Sequence, residues 1–425
     1  MTTTSELTHT LDADGQIDPP APVRGTIKRL LAWIVPANVS IFLIWGAVPG
    51  ILLPLQVQGL DPENKAANLA WVLTIGSVAA MLAQPIAGAL SDRTRSRFGR
   101  RAPWMVGGAL IGGLALVGMA LANGLVQIAI AWTMVQLAYN FAQGPLSAVL
   151  PDRVPRAARG TFSALSGLGL MLGAIGGQIV GAKLAADIPS GYMLLGGFTL
   201  IVVTLFVLFN PDHSSKQMVK EPFSLSDFLH TFWVNPIAHP DFFWAFMGRL
   251  LLYTGYFAVT GYQLYILQDY IGLGDNAVAM IPLFGIVNLA AILVSTLVSG
   301  PLSDKLGRRK VFVFASSILV GVALVFPMVA PSFTGWMLFT VVAGLGFGCF
   351  QAVDTALMSE VLPSAKSFAK DLGVVNIAAT LPQTLAPAVA GAIVLASGGY
   401  VALFPIGIVL SILGAFAVWA IKSVR

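Results

Sequence analysis

Charge is what this chain has least of. Of 425 residues only 10% are charged, against 56% hydrophobic, and the mean hydropathy is +0.82. A soluble domain carries about 25% charged residues. So little charge cannot cover a water-facing surface of this size, so the chain must be solvated by lipid. Cysteine is nearly absent as well. Cys349 stands alone, which excludes an internal disulfide and any cysteine-built metal site. The four histidines, His9, His213, His230 and His239, fall in the N-terminal tail or a central polar stretch, which argues against a histidine proton relay inside the membrane. There is no phosphate loop, metal cluster or nucleophile triad. The glycine-rich runs (Gly167 to Gly177, and Gly344-Leu-Gly-Phe-Gly348) lie inside apolar segments and read as close helix packing. No cofactor and no metal are expected.

What is present is a succession of apolar segments. A spanning helix needs about 20 mostly apolar residues. Six such runs cover 30–58, 66–91, 103–123, 125–150, 161–185 and 191–209, and six more cover 241–271, 276–302, 310–330, 333–361, 367–396 and 399–421. The expectation is an all-α integral membrane protein of twelve transmembrane helices in two pseudo-symmetric six-helix bundles. Residues 1–29 read as a disordered cytoplasmic tail, 30–209 as the first bundle, 210–240 as a central loop, 241–421 as the second bundle and 422–425 as a short C-terminus. The tail has no basic stretch leading a short apolar run, so it does not read as a secretory signal. Within the central loop, Leu225, Phe228, Leu229, Phe232 and Trp233 fall on one helical face, which predicts a short interfacial helix.

Orientation follows from Lys and Arg. All but three of the 24 basic residues lie in the tail, in the loops after each even-numbered span, or at the C-terminus. Arg93, Arg95, Arg97, Arg100 and Arg101 follow the second span, and Lys305, Arg308, Arg309 and Lys310 follow the eighth. The opposite side has Lys65 and Lys183, and Arg249 lies within a span. Both ends are therefore expected in the cytoplasm. The net charge of +5 is then a record of topology rather than a sign of nucleic-acid binding.

The two halves repeat each other. Gly88-Ala-Leu-Ser-Asp92 matches Gly300-Pro-Leu-Ser-Asp304, and Gly99-Arg100-Arg101 matches Gly307-Arg308-Arg309. Gln143 matches Gln351 and Asp152 matches Glu360 at the same offset of 208 residues. Repeats of this kind place a binding site near the bilayer midplane and work by rocking one half against the other. Asp92 and Asp304, at helix ends, are expected to cap a neighbouring helix and to pair with arginine, forming a latch that holds the halves together in one state. Gly88, Asp92, Arg100, Arg101, Gly300, Asp304, Arg308 and Arg309 are the candidate gating residues.

Polar residues in a lipid-solvated helix face a cavity or another helix. The fourth span places Thr133, Gln136, Asn140, Gln143 and Ser147 on one face, and the seventh places Arg249, Tyr253, Tyr256, Thr260 and Gln263 on another. The first adds Asn38 and Trp45, the eighth Asn288 and Ser295, and the eleventh Asn376, Thr380 and Gln383. The candidate solute-binding set is Asn38, Trp45, Gln136, Asn140, Gln143, Tyr253, Tyr256, Gln263, Asn376 and Gln383. Neutral amides, hydroxyls and aromatic rings suit an uncharged polyol; interhelical hydrogen bonding is the alternative use of each. Arg249 and Asp354 fall at similar depth in one half and are expected to pair, with Asp354 the candidate for proton coupling. Glu360 and Asp371 are the alternative partners.

Gly300-Pro-Leu-Ser-Asp-Lys-Leu-Gly-Arg-Arg-Lys310 resembles the signature loop of the major facilitator superfamily. The longer first copy, Ser91-Asp-Arg-Thr-Arg-Ser-Arg-Phe-Gly-Arg-Arg-Ala-Pro-Trp104, resembles the glycoside–pentoside–hexuronide:cation symporters and the sucrose transporters, and Leu137-Ala-Tyr-Asn140-Phe-Ala-Gln143-Gly-Pro145 with Asp152 is similar to the helix 4 motif of the sucrose group. The resemblance implies the major facilitator fold and cation-driven import, by proton or sodium, of a sugar or glycoside. It departs from those groups at Gln136 and Ser147, where sucrose transporters carry Asp and Arg, and at Ala80 and Gln84, where melibiose-type symporters carry cation-binding aspartates. The expected partners are a small solute, a coupling cation and lipid, with no nucleic acid and no second subunit. The expected location is the plasma membrane, and an enzyme is not expected. The alternatives are an exporter of drugs or metabolites on the same fold and a non-transporting assembly factor or sensor.

Overall fold

The computed structural model describes residues 27–217, 237–361 and 368–422. Among these the chain is built of twelve long helices: α1 (Ile27–Leu60), α2 (Lys65–Arg93), α3 (Ala102–Ala120), α4 (Leu125–Arg153), α5 (Arg156–Lys183) and α6 (Ile188–Phe209), then α7 (Pro240–Thr260), α8 (Asn276–Leu306), α9 (Arg309–Val329), α10 (Phe333–Glu360), α11 (Phe368–Ser397) and α12 (Leu403–Trp419). Ten are long and apolar enough to cross a membrane. The apolar part of α11, Leu381–Ser397, and α12 are 17 residues each, or roughly 26 Å at 1.5 Å per residue. Residues 1–26 of the tail, the interfacial helix expected at Leu225–Trp233 and the last three residues lie outside the described residues; residues 27–29, expected in the tail, form the first turn of α1.

The surface is inverted relative to a soluble protein. Leu114, Ile130, Leu208 and Leu297 are each more than 60% exposed, and they face outward from the bundle into what must be hydrocarbon.

The packing carries the internal repeat. In the first half α1 packs on α5 and α6, α2 on α4, and α3 on α4 and α6. In the second half the same pairs recur six helices later: α7 with α11 and α12, α8 with α10, and α9 with α10 and α12. The halves meet through α2 against α11 and α5 against α8, two contacts that the same sixfold step exchanges. The glycine runs are where helices approach most closely. A Cβ on Gly177 would fall 2.2 Å from the carbonyl oxygen of Leu43, and one on Gly348 would fall 2.5 Å from that of Ile292.

Two helices depart from the sequence-based expectation. The seventh span, expected over 241–271, stops at Thr260; after Gly261 a short turn, Gln263–Tyr265, leads into a wide π-helical turn, Ile266–Tyr270. The break aims two tyrosines at the other half, where Tyr262 donates to the Ala66 carbonyl (3.1 Å) and Tyr265 to the Pro54 carbonyl (2.8 Å). Helix α1 contains a matching π-helical turn, Val48–Leu52, at Pro49 and Gly50. Such turns mark places where a helix is bent for use. The twelfth span begins later than expected because Gly398, at φ +69°, ends α11 in the left-handed region and a turn intervenes.

Candidate functional site

A cavity of about 760 Å³ lies between the halves. Its polar wall comes from α4, where Gln136, Asn140 and Gln143 lie along one stripe, with Gln84 from α2 and Gln178 from α5. The facing wall supplies Tyr256, Thr260, Gln263, Asn288, Thr340 and Gln383. Aromatic side chains close the space: Trp45 and Trp132 on one side, Trp336, Phe339 and Phe284 on the other. No Asp, Glu, Lys or Arg lines it among the described residues.

The polar groups are partly pre-set. Trp45 Nε1 donates to Gln143 Oε1 at 3.0 Å, and the Trp45 ring stands edge-on to Trp132 and Tyr139 at 6.3 and 6.4 Å. Asn140 Nδ2 donates to the Gln136 carbonyl at 2.8 Å, which fixes the amide on its helix. Trp132 Nε1, Trp336 Nε1 and Gln178 Oε1 are buried without a hydrogen-bond partner.

Of the ten expected solute-binding residues, seven line this cavity: Trp45, Gln136, Asn140, Gln143, Tyr256, Gln263 and Gln383. Asn38 does not. Its amide donates to the Ile34 carbonyl and its Cβ packs on Gly169, because the tight α1–α5 contact takes up that face. Tyr253 does not either. It packs against Phe347 and Phe350, at 5.2 and 5.7 Å, one layer behind Tyr256. The side chain of Asn376 lies outside the described residues. Trp132, Trp336 and Phe339 were missed because aromatic residues inside a span pass for lipid-facing or core. Spacing could have found the first, since Trp132 is four residues before Gln136 on the same stripe.

Behind Tyr253 lies a buried charge pair. Arg249 Nε donates to Asp354 Oδ2 at 2.6 Å, and Nη2 contacts the same oxygen. Both residues are buried, and Asp354 Oδ1 has no hydrogen-bond partner. Tyr253 and then Phe347, stacked on Tyr256 at 4.7 Å, separate the pair from the cavity. The side chains of Glu360 and Asp371, the alternative partners, lie outside the described residues.

At the basic face the repeated loops form two clusters. In the first half Asp92 and Asp152 alternate with Arg100 and Arg101. Arg101 Nη2 meets Asp92 Oδ1 at 2.6 Å and its Nε meets Asp152 Oδ2 at 2.8 Å, while Arg100 reaches Asp152 at 2.5 Å and Asp92 at 3.5 Å. Arg101 also donates to Ser91 Oγ at 2.5 Å. In the second half Arg309 meets Asp304 at 2.9 Å, and Arg308 is exposed. In this state each aspartate pairs within its own half, and Arg101, at the N-cap of α3, makes no side-chain cap. Gly88 and Gly300 lie inside α2 and α8 with open space where a Cβ would stand.

The halves touch instead at the opposite face. Lys65 pairs with Asp269 at 2.9 Å and lies over the Tyr265 ring, and Tyr400 donates to the same aspartate at 3.2 Å. Nearby, the backbone N–H of Asn64 and the amides of Asn64 and Asn68 hold the Asp61 carboxyl below the usual carboxylate range. Gly391 backs onto Ala70, and Gly285 onto Gln178. The Lys65–Asp269 pair and the Gly391–Ala70 and Gly285–Gln178 approaches join the first half to the second, so the cavity is closed on this side. Among the described residues no three His, Cys, Asp or Glu side chains gather at metal-binding distance.

Comparisons with known proteins agree with this architecture. The family model of the Major Facilitator Superfamily matches residues 34–299 and 283–425. Sucrose transport protein SUC4 of Arabidopsis thaliana is 30% identical over 176 residues, 36% of this chain and 34% of that protein. An uncharacterized symporter, sll1374, of Synechocystis sp. is 56% identical over 74 residues, 17% of this chain and 12% of that protein. The chain therefore aligns with about a third or less of the length of these curated relatives. Among solved structures, the nucleoside transporter NupG superposes with a TM-score of 0.73 at 17% identity, covering 92% of this chain and 99% of that one. A bacterial homologue of the human lysosomal transporter Spinster superposes at 0.66 and 13% identity, covering 93% and 96%.

Proposed function

The chain belongs to the major facilitator superfamily, and from that premise we propose that it carries a small, uncharged, hydroxyl-rich solute across the membrane, a sugar or glycoside, by alternating access. The observation that carries this reading is the cavity wall. Amides on both halves face each other across a space with aromatic faces and no charged side chain among the described residues. Amides can both donate to and accept from a hydroxyl, and an indole or phenol ring can stack on the apolar face of a pyranose. The sucrose transport protein among its relatives supports the same class of solute. The residues act as binding groups and make no covalent bond to the solute, so the protein is read as a carrier and not an enzyme.

In this reading the basic face is the cytoplasmic side of the plasma membrane, with both ends there. The structure is then the state closed to the outside, and a monomer is the working unit. Coupling to a cation is assigned to Asp354, whose Oδ1 is buried without a hydrogen-bond partner and can take a proton while Arg249 holds Oδ2. The aromatic share of the wall favours a second reading, export of an apolar metabolite. Uptake of a labelled panel of sugars, glycosides and apolar drugs into proteoliposomes, with and without imposed proton and sodium gradients, decides between them. Accumulation of a sugar or glycoside under an inward gradient is the expected result, and drug movement without sugar movement would overturn the proposal.

Two variants probe the parts. Asn140→Ala is expected to weaken solute binding by about 1–3 kcal/mol, because a buried hydroxyl loses its partner. Equilibrium binding to purified protein reads this directly, and unchanged affinity would remove Asn140 from the site. Asp92→Asn is expected to cut the transport rate while leaving expression near normal. It removes one carboxylate shared by Arg100 and Arg101 and leaves Asp152 in place. Transport at the wild-type rate would show that the cluster does not govern the change of state.

A further inference from the structure

The outer surface of the first half has a cavity of its own. A groove of about 460 Å³ runs between α3 and α4, from Thr94, Trp104 and Phe141 at the basic end past Gly107 to Ile111 and Met134. Ile111 is 48% exposed and Met134 42%, so the groove opens away from the bundle, into lipid. Two adjacent glycines shape it. Gly108 is required for helix packing, since a Cβ there would fall 2.6 Å from the Ala138 carbonyl oxygen. Gly107 is not, because nothing lies within 4 Å of its Cβ position. Its missing side chain is the floor of the groove.

Lipid tails are as apolar as these walls, so burial alone selects no occupant. Selection must come from the mouth. There Trp104 Nε1 donates to Thr94 Oγ1 at 2.7 Å and closes the apolar slot with a polar rim. Arg95 follows directly, with Nη1 on the carbonyls of Asp92 and Thr94 at 3.0 and 3.2 Å. Arg97 is exposed and lies over the ring of Phe98, itself 57% exposed. Guanidinium groups and an exposed aromatic ring at a helix end are what a phosphate headgroup meets at the membrane boundary.

We propose that this groove binds one anionic phospholipid of the basic-face leaflet. One acyl chain lies along Gly107 beside Ile111 and Met134, next to the Trp104–Phe141 ring contact at 5.4 Å, and the phosphate is held by the exposed Arg97 with Arg95 beside it. The site is distinct from the central cavity and adjoins the Asp92–Arg101 cluster through the same loop.

Native mass spectrometry of the purified full chain, titrated with phosphatidylglycerol or phosphatidylcholine, tests it. Wild type should retain phosphatidylglycerol at lower lipid concentration than phosphatidylcholine. Gly107→Leu fills the floor without a clash and should lose that retention. Arg95→Gln and Arg97→Gln should each weaken phosphatidylglycerol binding about fivefold and leave phosphatidylcholine unchanged. Gly197→Leu on α6, where a Cβ also meets nothing within 4 Å, is the control and should change neither. If Gly107→Leu melts below wild type in lipid-free detergent, Met134→Trp on the opposite wall provides the same block at an exposed position. Equal retention of the two lipids by wild type, or unchanged phosphatidylglycerol retention in the groove-filling variants, would reduce the groove to ordinary annular surface and overturn the proposal. So would loss in the groove variants with no effect of either arginine change, since the occupant would then not be selected by its charge.

Discussion

Arg249→Gln and Asp354→Asn, made singly, are expected to destabilise the protein more than the two changes made together. Each residue is buried, at 5% and 1% exposure, and they are joined by a 2.6 Å hydrogen bond from Nε to Oδ2. Removing Arg249 strands the buried Asp354 carboxylate and costs about 3–5 kcal/mol, while replacing both by neutral groups of similar shape is often close to neutral. Thermal unfolding in detergent of the two single variants and the double variant gives the coupling energy. Strictly additive losses would mean that the pair is incidental. The exposed pair Asp304–Arg309 provides a contrast, since Asp304 is 63% exposed at its side chain and a surface pair contributes about 0–1 kcal/mol. The functional limb follows from geometry. Asp354 uses one oxygen on Arg249 and leaves the other for a proton. Asp354→Asn is therefore expected to lose accumulation against a gradient yet keep exchange of solute for solute, which needs no net proton movement. If Asp354→Asn still concentrates solute, the pair is a strut and coupling lies elsewhere.

What could be read without coordinates follows from the demands of lipid. An unsatisfied backbone group in hydrocarbon is so costly that each apolar run must be a helix, which made the spans legible, and the matching loops Gly88–Asp92 and Gly300–Asp304 made the repeated halves legible. The stripe on α4 was legible because every third or fourth residue returns to one face. The Arg249–Asp354 contact could be anticipated because two opposite charges at one depth have few other partners. Three things were not legible. A period of 3.6 says which residues share a face, and says nothing of what that face meets. Asn38 shares a stripe with Trp45 yet faces Gly169 of α5. The break after Thr260 carries no proline, and Gly261 inside an apolar run reads as another packing glycine. The aspartates of the repeated loops were placed correctly at helix ends, but whether they bind their own half or the other depends on the state of the molecule, which a sequence does not specify.

Gly391→Ala is expected to open the face opposite the basic loops. In this state a Cβ on Gly391 would fall 2.2 Å from the Cβ of Ala70 and 3.6 Å from its Cα, both fixed to the α2 backbone. No rotamer relieves that overlap, so α2 and α11 must separate. Gly285 is the internal comparison. A Cβ there meets Gln178 Oε1 at 2.0 Å, but that atom ends a flexible side chain and can turn away. Gly285→Ala is therefore expected to do much less, although its overlap is as short. Separation of α2 from α11 also strains the Lys65–Asp269 pair and the Tyr262 hydrogen bond to Ala66, so one methyl group acts on the whole seal. Moving a two-state population from 1:99 to 99:1 takes about 5.5 kcal/mol, and an overpacked contact between fixed atoms costs about 1–3 kcal/mol. Gly391→Ala should thus shift the balance roughly 5- to 150-fold without trapping the protein completely. Gly88→Ala and Gly300→Ala, where a Cβ meets nothing within 4 Å, leave this state untouched. The measurement is labelling of a reporter cysteine at Ala80 on the cavity wall, in a chain carrying Cys349→Ser, by a maleimide that cannot cross the membrane. Added from the face opposite the basic loops, the reagent should react faster with Gly391→Ala than with Gly285→Ala or the unsubstituted reporter. Equal labelling of all three would show that the contact of α2 with α11 does not govern the closure.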